Sequence, residues 1–113
     1  MGDLTPAQVK IAKAMREKSL EEAVRDACKS LNLLRYHTLR PKGSPAGFPD
    51  DVIVGTRVLY RELKREGEKP SPAQVEWIDR LAAAGQDVAV WRPTDLLSGR
   101  ILDELQAIVP PRQ

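Results

Sequence analysis

Four side chains within GFPDDVIVGTRVLYRELK, residues 47–64, have types that could do chemistry together: Asp50 and Asp51, then Glu62 and Lys64. Two carboxylates brought close repel each other unless a cation sits between them. Mg²⁺ is commonly held by one or two carboxylates, with waters and phosphate oxygens completing its shell. A lysine beside such an ion can stabilise a pentavalent phosphate or orient the attacking water. The set therefore outlines a phosphodiester-hydrolysis site. A Glu and a Lys at a strand end are, by themselves, more often a solvated edge. Here the acid-x-Lys pattern occurs once, on the return arm of a hairpin that opens with Pro49-Asp50.

Whether these groups meet depends on parity, because side chains along a strand alternate faces. Val58, Tyr60, Glu62 and Lys64 share one face of the return strand; Leu59, Arg61 and Leu63 share the other. A three-residue loop, Gly55 to Arg57, pairs Val54 with Val58 and sets Asp50 opposite Glu62. A two-residue loop of Gly55 and Thr56 brings Asp51 onto that face instead. Both remain open at the level of sequence.

The elements that must position the hairpin can be read from caps, breakers and periodicity. Thr5, Pro6 and Gln8 begin a helix with a capping box. Leu20, Ala23, Val24, Ala27, Cys28 and Leu31 recur at helical spacing. Ser19 with Glu22 suggests a break near Lys18, so residues 6–31 form one helix or two. Residues 33–38, LLRYHT, read as a strand, and 39–49, with three prolines and two glycines, as a loop. The hairpin follows. Ser71 caps a helix that Gly85 stops, with an apolar stripe of Val75, Ile78, Leu81 and Ala82. DVAVW, 87–91, is a further strand, and Thr94 caps a last helix with Leu97, Ile101, Leu105 and Ile108 in register. This order predicts an α/β fold, a mixed sheet of about four strands flanked by helices, with the last strand parallel to the third through a right-handed crossover.

A chain of 113 residues, 42% hydrophobic and 30% charged, suits one globular domain over residues 1–113, with a helical segment at 5–16 and a short tail at 109–113. The formal charge of +2 is compatible with nucleic acid without arguing for it. A single cysteine, Cys28, rules out an internal disulfide, and one cysteine with one histidine, His37, argues against structural zinc. Any metal would be held by carboxylates, which suits Mg²⁺ or Mn²⁺. The start MGDLTPAQVK has no apolar signal region and no apolar run approaches membrane-spanning length, so a cytoplasmic protein is expected.

Pro49-Asp50, followed 12 residues later by Glu62-Leu63-Lys64, resembles the PD-(D/E)xK nuclease signature. The ordered stretches YHT, GFPD, RELK, SPAQVEW and VWRPTDL look like the VRR-NUC family, the virus-type replication-repair nucleases, from about Glu17 to about Leu97. The resemblance implies a restriction-endonuclease-like fold and Mg²⁺- or Mn²⁺-dependent DNA hydrolysis leaving 5′-phosphates. It implies Asp50 and Glu62 as metal ligands, with the Leu63 carbonyl as a third and Lys64 as the catalytic lysine. Gln74 falls on the family's glutamine, near the scissile phosphate or the metal's water, although a capping box with Ser71 explains it equally well. Glu17 falls on the first-helix acid, with Glu21 one turn later as second choice. The chain departs from the pattern at Asn32, where glycine is usual, at Leu33, where tryptophan is common, and in the segment preceding Glu17. His37 reads first as a structural strand residue; with Arg40 and Lys42 it makes up the expected phosphate-facing set. Trp77 and Trp91 read as core or dimer contacts rather than base-stacking platforms. A core this small covers few phosphates, so a symmetric homodimer acting on branched DNA in a phage or bacterial setting is expected. A nuclease-like fold that only binds DNA or a repair partner is the alternative.

Overall fold

A computed structural model describes residues 2–39 and 42–112. Strands β1 (Leu34–His37), β2 (Asp51–Val54), β3 (Val58–Leu63) and β4 (Asp87–Trp91) form one sheet in that order. β1 and β3 run antiparallel to β2, and β4 runs parallel to β3, as the strand–helix–strand connection requires. The expected mixed four-stranded sheet with flanking helices is the fold observed. In the hairpin Val54 faces Val58 and Asp51 faces Arg61. The connection is therefore the three-residue one, and the same register carried one step further sets Asp50 opposite Glu62.

The two faces of the sheet differ in kind. On one, Ile53, Leu59, Leu63 and Trp91 are fully buried against Leu20, Val24 and Cys28 of α2 (Glu17–Ser30) and Ile101 and Leu105 of α5 (Arg100–Gln106). This is the hydrophobic core, and its burial is the main drive to fold. The other face carries Val52, Val54, Val58 and Tyr60, none of them fully buried, and is covered by α3 (Pro72–Ala83) and the loop before β2. The apolar stripe of α3 is rotated from the expected one. Gln74, Trp77, Ile78 and Leu81 turn inward, while Val75 and Ala82 are exposed, because the site below draws Gln74 rather than Val75 to the sheet.

Two helix boundaries also differ from expectation. Residues 6–31 form two helices, α1 (Pro6–Ala14) and α2, parted by extended backbone at Met15 and Arg16 rather than near Lys18. Met15 thereby packs on the core, and Glu17 becomes the first residue of α2. The last helix is likewise broken, into α4 (Pro93–Leu97) and α5. Its cap is Arg92, whose N–H donates to Asp95 at 2.8 Å, not Thr94. Gly99, at φ 87°, takes the left-handed conformation that ends one helix and re-aims the next so that Ile101 and Leu105 enter the core. Asn32 adopts φ 56° just past α2, a conformation asparagine tolerates better than most residues.

The tip of the hairpin is fastened to the end of α5. Thr56 N–H donates to the Ile108 carbonyl at 2.8 Å, and a Cβ on Gly55 would run into that same carbonyl. Gly55→Ala is therefore expected to lower stability by about 1–3 kcal/mol, read as a lower urea midpoint with an unchanged slope.

Candidate active site

The hairpin register carries Asp50 and Glu62 to the face away from the main core. Thr38 extends the β1–β2 pairing beyond His37: its N–H donates to the Asp50 carbonyl and its hydroxyl to the Pro49 carbonyl, both at 2.7 Å. The Pro-Asp unit is thus tied by one backbone and one side-chain bond to the residue that follows the edge strand. Asp50 Oδ2 accepts from the Leu63 N–H at 2.8 Å, so its carboxylate lies over the peptide between Glu62 and Lys64.

Glu62 is 1% exposed. Its Oε2 accepts from Gln74 Nε2 at 2.7 Å and lies 3.6 Å from Lys64 Nζ. Its Oε1 is buried with no hydrogen-bond partner. Burial, and then the Asp50 carboxylate beside it, push the Glu62 carboxyl up to about 8, against the smaller opposing pull of Lys64. Gln74 makes the expected cap and has a second bond, to Glu62. Its Oε1 accepts from Ser71 N–H at 2.8 Å while its own N–H donates to Ser71 Oγ at 3.2 Å, a complete capping box. The side-chain amide nitrogen is left for Glu62. The cap of α3 is therefore also an anchor of the acid pair.

A hard divalent cation fits this donor set: two facing carboxylates, one of them strained toward protonation, and an orphaned buried oxygen. The Leu63 side chain is buried in the core, so only its backbone could join the site. Glu17 is half-buried at the start of α2. Among the described residues no three His, Cys, Asp or Glu side chains form a ready ligand cluster.

Asp51 and His37 belong to the opposite face. Asp51 is fully buried; its Oδ1 lies 2.8 Å from His37 Nδ1 and 3.0 Å from the Arg35 guanidinium, which also meets Glu21 at 3.0 Å. Burial raises the Asp51 carboxyl despite these partners. Glu21 is thus committed to Arg35, with His37 Nε2 3.7 Å away. Lys42 is exposed in the loop leading to Gly47, and Arg40 lies outside the described residues.

Sequence reasoning missed the hollow beside the acids. Tyr36, Phe48 and Trp77, with Thr38, Asp50 and Gln74, line a cavity of about 460 Å³. Gly47 builds its wall. At φ 97°, it lets the loop press onto the start of α3 so closely that a Cβ would lie 2.5 Å from the Ala73 carbonyl. The available signal was spacing: Trp77 follows Gln74 by three residues on the inward face of one helix, and Phe48 precedes Asp50 by two.

The chain is 30% identical over 86 residues to "Putative nuclease p44" of Acyrthosiphon pisum secondary endosymbiont phage 1, a match covering 74% of this chain and 90% of the relative. Among solved structures, a VRR_NUC domain is 25% identical with TM-score 0.63, covering 83% of this chain and 97% of that one. A VRR_NUC domain protein, 23% identical, superposes with TM-score 0.64 over 86% and 93% of the two chains. The chain belongs to the VRR-NUC nuclease family. No family model matches it. This VRR-NUC chain carries α1 ahead of the helix that Glu17 opens.

The raised Glu62 carboxyl makes stability depend on pH. Without divalent ions the folded protein holds a proton there that the unfolded chain releases, so the Glu62 contribution to stability is full below about pH 4.5 and falls as pH rises toward about 8. The loss is on the order of 3–5 kcal/mol. Denaturation of the metal-free protein across this range should show that fall, and Glu62→Gln should flatten it.

Proposed function

We propose that this VRR-NUC chain is a Mg²⁺- or Mn²⁺-dependent endonuclease that hydrolyses DNA phosphodiester bonds. The observation that carries the reading is the buried Glu62 carboxylate facing Asp50, with one oxygen unpartnered and Lys64 3.6 Å from the other. Such a pair is costly to ionise unless a cation joins it, and a purely structural role would be served better by an amide.

Asp50 and Glu62 would hold the ion, helped by the Leu63 carbonyl, with Glu17 as a further ligand if the first turn of α2 draws in on loading. The bound ion would polarise a phosphoryl oxygen and make water a stronger nucleophile at neutral pH. Lys64 places a cation where negative charge builds on the phosphate, and can orient the attacking water through its ammonium protons. Gln74 holds Glu62 Oε2 in place and, at the N-terminus of α3, keeps the rim of the site rigid. Lys42 is a candidate phosphate contact, as is Arg40 by its place in the sequence. His37 contributes to this reading through Asp51 on the other face, bracing the strand that carries Asp50.

Branched DNA, such as a junction, is the substrate we favour, acted on by a homodimer in a phage or bacterial replication-repair setting. β1 supports the second part: it is an edge strand of the sheet, with Leu34 and Tyr36 exposed. That is a pairing surface a lone chain would normally blunt. The competing reading is a catalytically silent DNA-binding module, but it gives Glu62 and Lys64 no task.

Cleavage of branched and duplex DNA is expected only with Mg²⁺ or Mn²⁺ present. Glu62→Ala and Lys64→Ala should each lose about 100-fold or more in rate while DNA binding persists. DNA binding by the wild type with no cleavage in either ion would establish the silent module instead. Light scattering at micromolar concentration should give twice the monomer mass; a monomer would remove the dimer from the proposal.

A further inference from the structure

The aromatic cavity has a chemistry that the acid pair does not use. Its lining is mainly apolar and includes three aromatic rings, Tyr36, Phe48 and Trp77. Phe48 meets Trp77 edge-to-face at 5.1 Å and Tyr60 at 6.3 Å, and the Trp77 indole N–H is fixed on the Ala46 carbonyl at 3.1 Å. These rings are held in place rather than free to collapse into the space. Tyr36, which also lines the cavity, is 64% exposed, a large aromatic left in water on the outer strand. Asp50 and Gln74 of the acid site contribute to the lining, with Thr38, Ser44 and Ser71 as the other polar side chains. A volume of about 460 Å³ lies within the range of small-ligand pockets.

We propose that this cavity is a nucleobase subsite, taking one unstacked base of the strand whose adjoining phosphate lies at Asp50 and Glu62. The inference rests on the nuclease reading for the position of that phosphate. Base and phosphate belong to the same nucleotide or its neighbour, and the cavity shares Asp50 and Gln74 with the acid site, so one nucleotide spans both. Aromatic faces grip any base by stacking, with little demand on sequence. A base held in a Watson–Crick stack cannot enter the cavity that Tyr36, Phe48 and Trp77 line. The substrate class follows: DNA with an unpaired nucleotide at the cleavage position, such as a single strand, a flap or a strand-exchange point, rather than continuous duplex.

The test is binding in EDTA, where no cleavage occurs, of a short single strand, the same strand with abasic sites, and a blunt duplex. The wild type should prefer the base-bearing strand to the abasic strand by about tenfold. A 2-aminopurine in the strand should be quenched on binding. Tyr36→Ser, at an exposed position, and Trp77→Leu should each reduce that preference and the quenching. Equal affinity for base-bearing and abasic strands, or a preference untouched by both substitutions, overturns the subsite. Mg²⁺- and Glu62-dependent cleavage in the same preparations would then leave the nuclease reading standing. Base-dependent binding that both substitutions abolish, with no cleavage in Mg²⁺ or Mn²⁺, would uphold the subsite and sink the nuclease reading. If Tyr36→Ser instead dissociates a dimer and no base preference exists in the wild type, a second copy of the chain fills the cavity and the proposal fails.

Discussion

The structure turns on one unfavourable contact: Glu62 taken out of water beside a second carboxylate, Asp50. Left alone, such an arrangement would relax by rotating one acid into solvent. Here it cannot, because each acid is tied elsewhere. Asp50 is bonded to the Leu63 amide, and its backbone is stitched to Thr38; Glu62 is bonded to the amide of Gln74, whose other end caps α3. The cost of the contact is met by the burial of Ile53, Leu59 and Leu63 on the far side of the same two strands. Strain at the site and stability in the core are carried by one hairpin, and that is how a chain of 113 residues can hold both.

Much of this was legible in the sequence, and the rest failed for identifiable reasons. The hairpin, the parallel fourth strand and the caps at Thr5 and Ser71 follow from local chemistry that tertiary packing did not override. The choice between Asp50 and Asp51 could not be read, because two hairpin loops differing by one residue are both reasonable and invert every side chain. The break between α1 and α2 falls before the Ser19–Glu22 signal: Arg16 caps α2 without a side-chain bond, and Met15, partly buried, packs against the core there. The helix drawn through 94–108 ignored Gly99, whose left-handed backbone decides the matter. The inward turn of Gln74 and Trp77 misled for another reason. A periodicity argument favours Val75, and only the need to satisfy Glu62 rotates α3 away from it.

The charges buried on the core face complete the picture. Arg61, 2% exposed, lies 5.1 Å over the Trp91 ring and bonds Asp87, Glu104 and two backbone carbonyls. Burial works against ionisation of Glu104, yet hydrogen bonds from Arg100, Trp91 and Arg61 hold its carboxyl below the ordinary range. Asp51 sits in the matching network with Arg35, His37 and Glu21. Ion pairs like these add little net stability compared with apolar side chains of the same size.

Their position explains them better than their energy. Asp51 directly follows Asp50 and Arg61 directly precedes Glu62, so each site acid has a paired, buried charge as its neighbour on the opposite face. Asp51 and Arg61 are also register partners across β2 and β3. A slip of one strand by one residue would carry one site acid in among Leu20, Val24 and Ile101 and would strip either Asp51 or Arg61 of its partners. Apolar residues at both positions would leave the hairpin freer to slide, since Val, Ile and Leu pack on either face with small differences in cost. The buried charges make the wrong registers prohibitively expensive. The polar content of the core is thus the device that keeps Asp50 and Glu62 face to face.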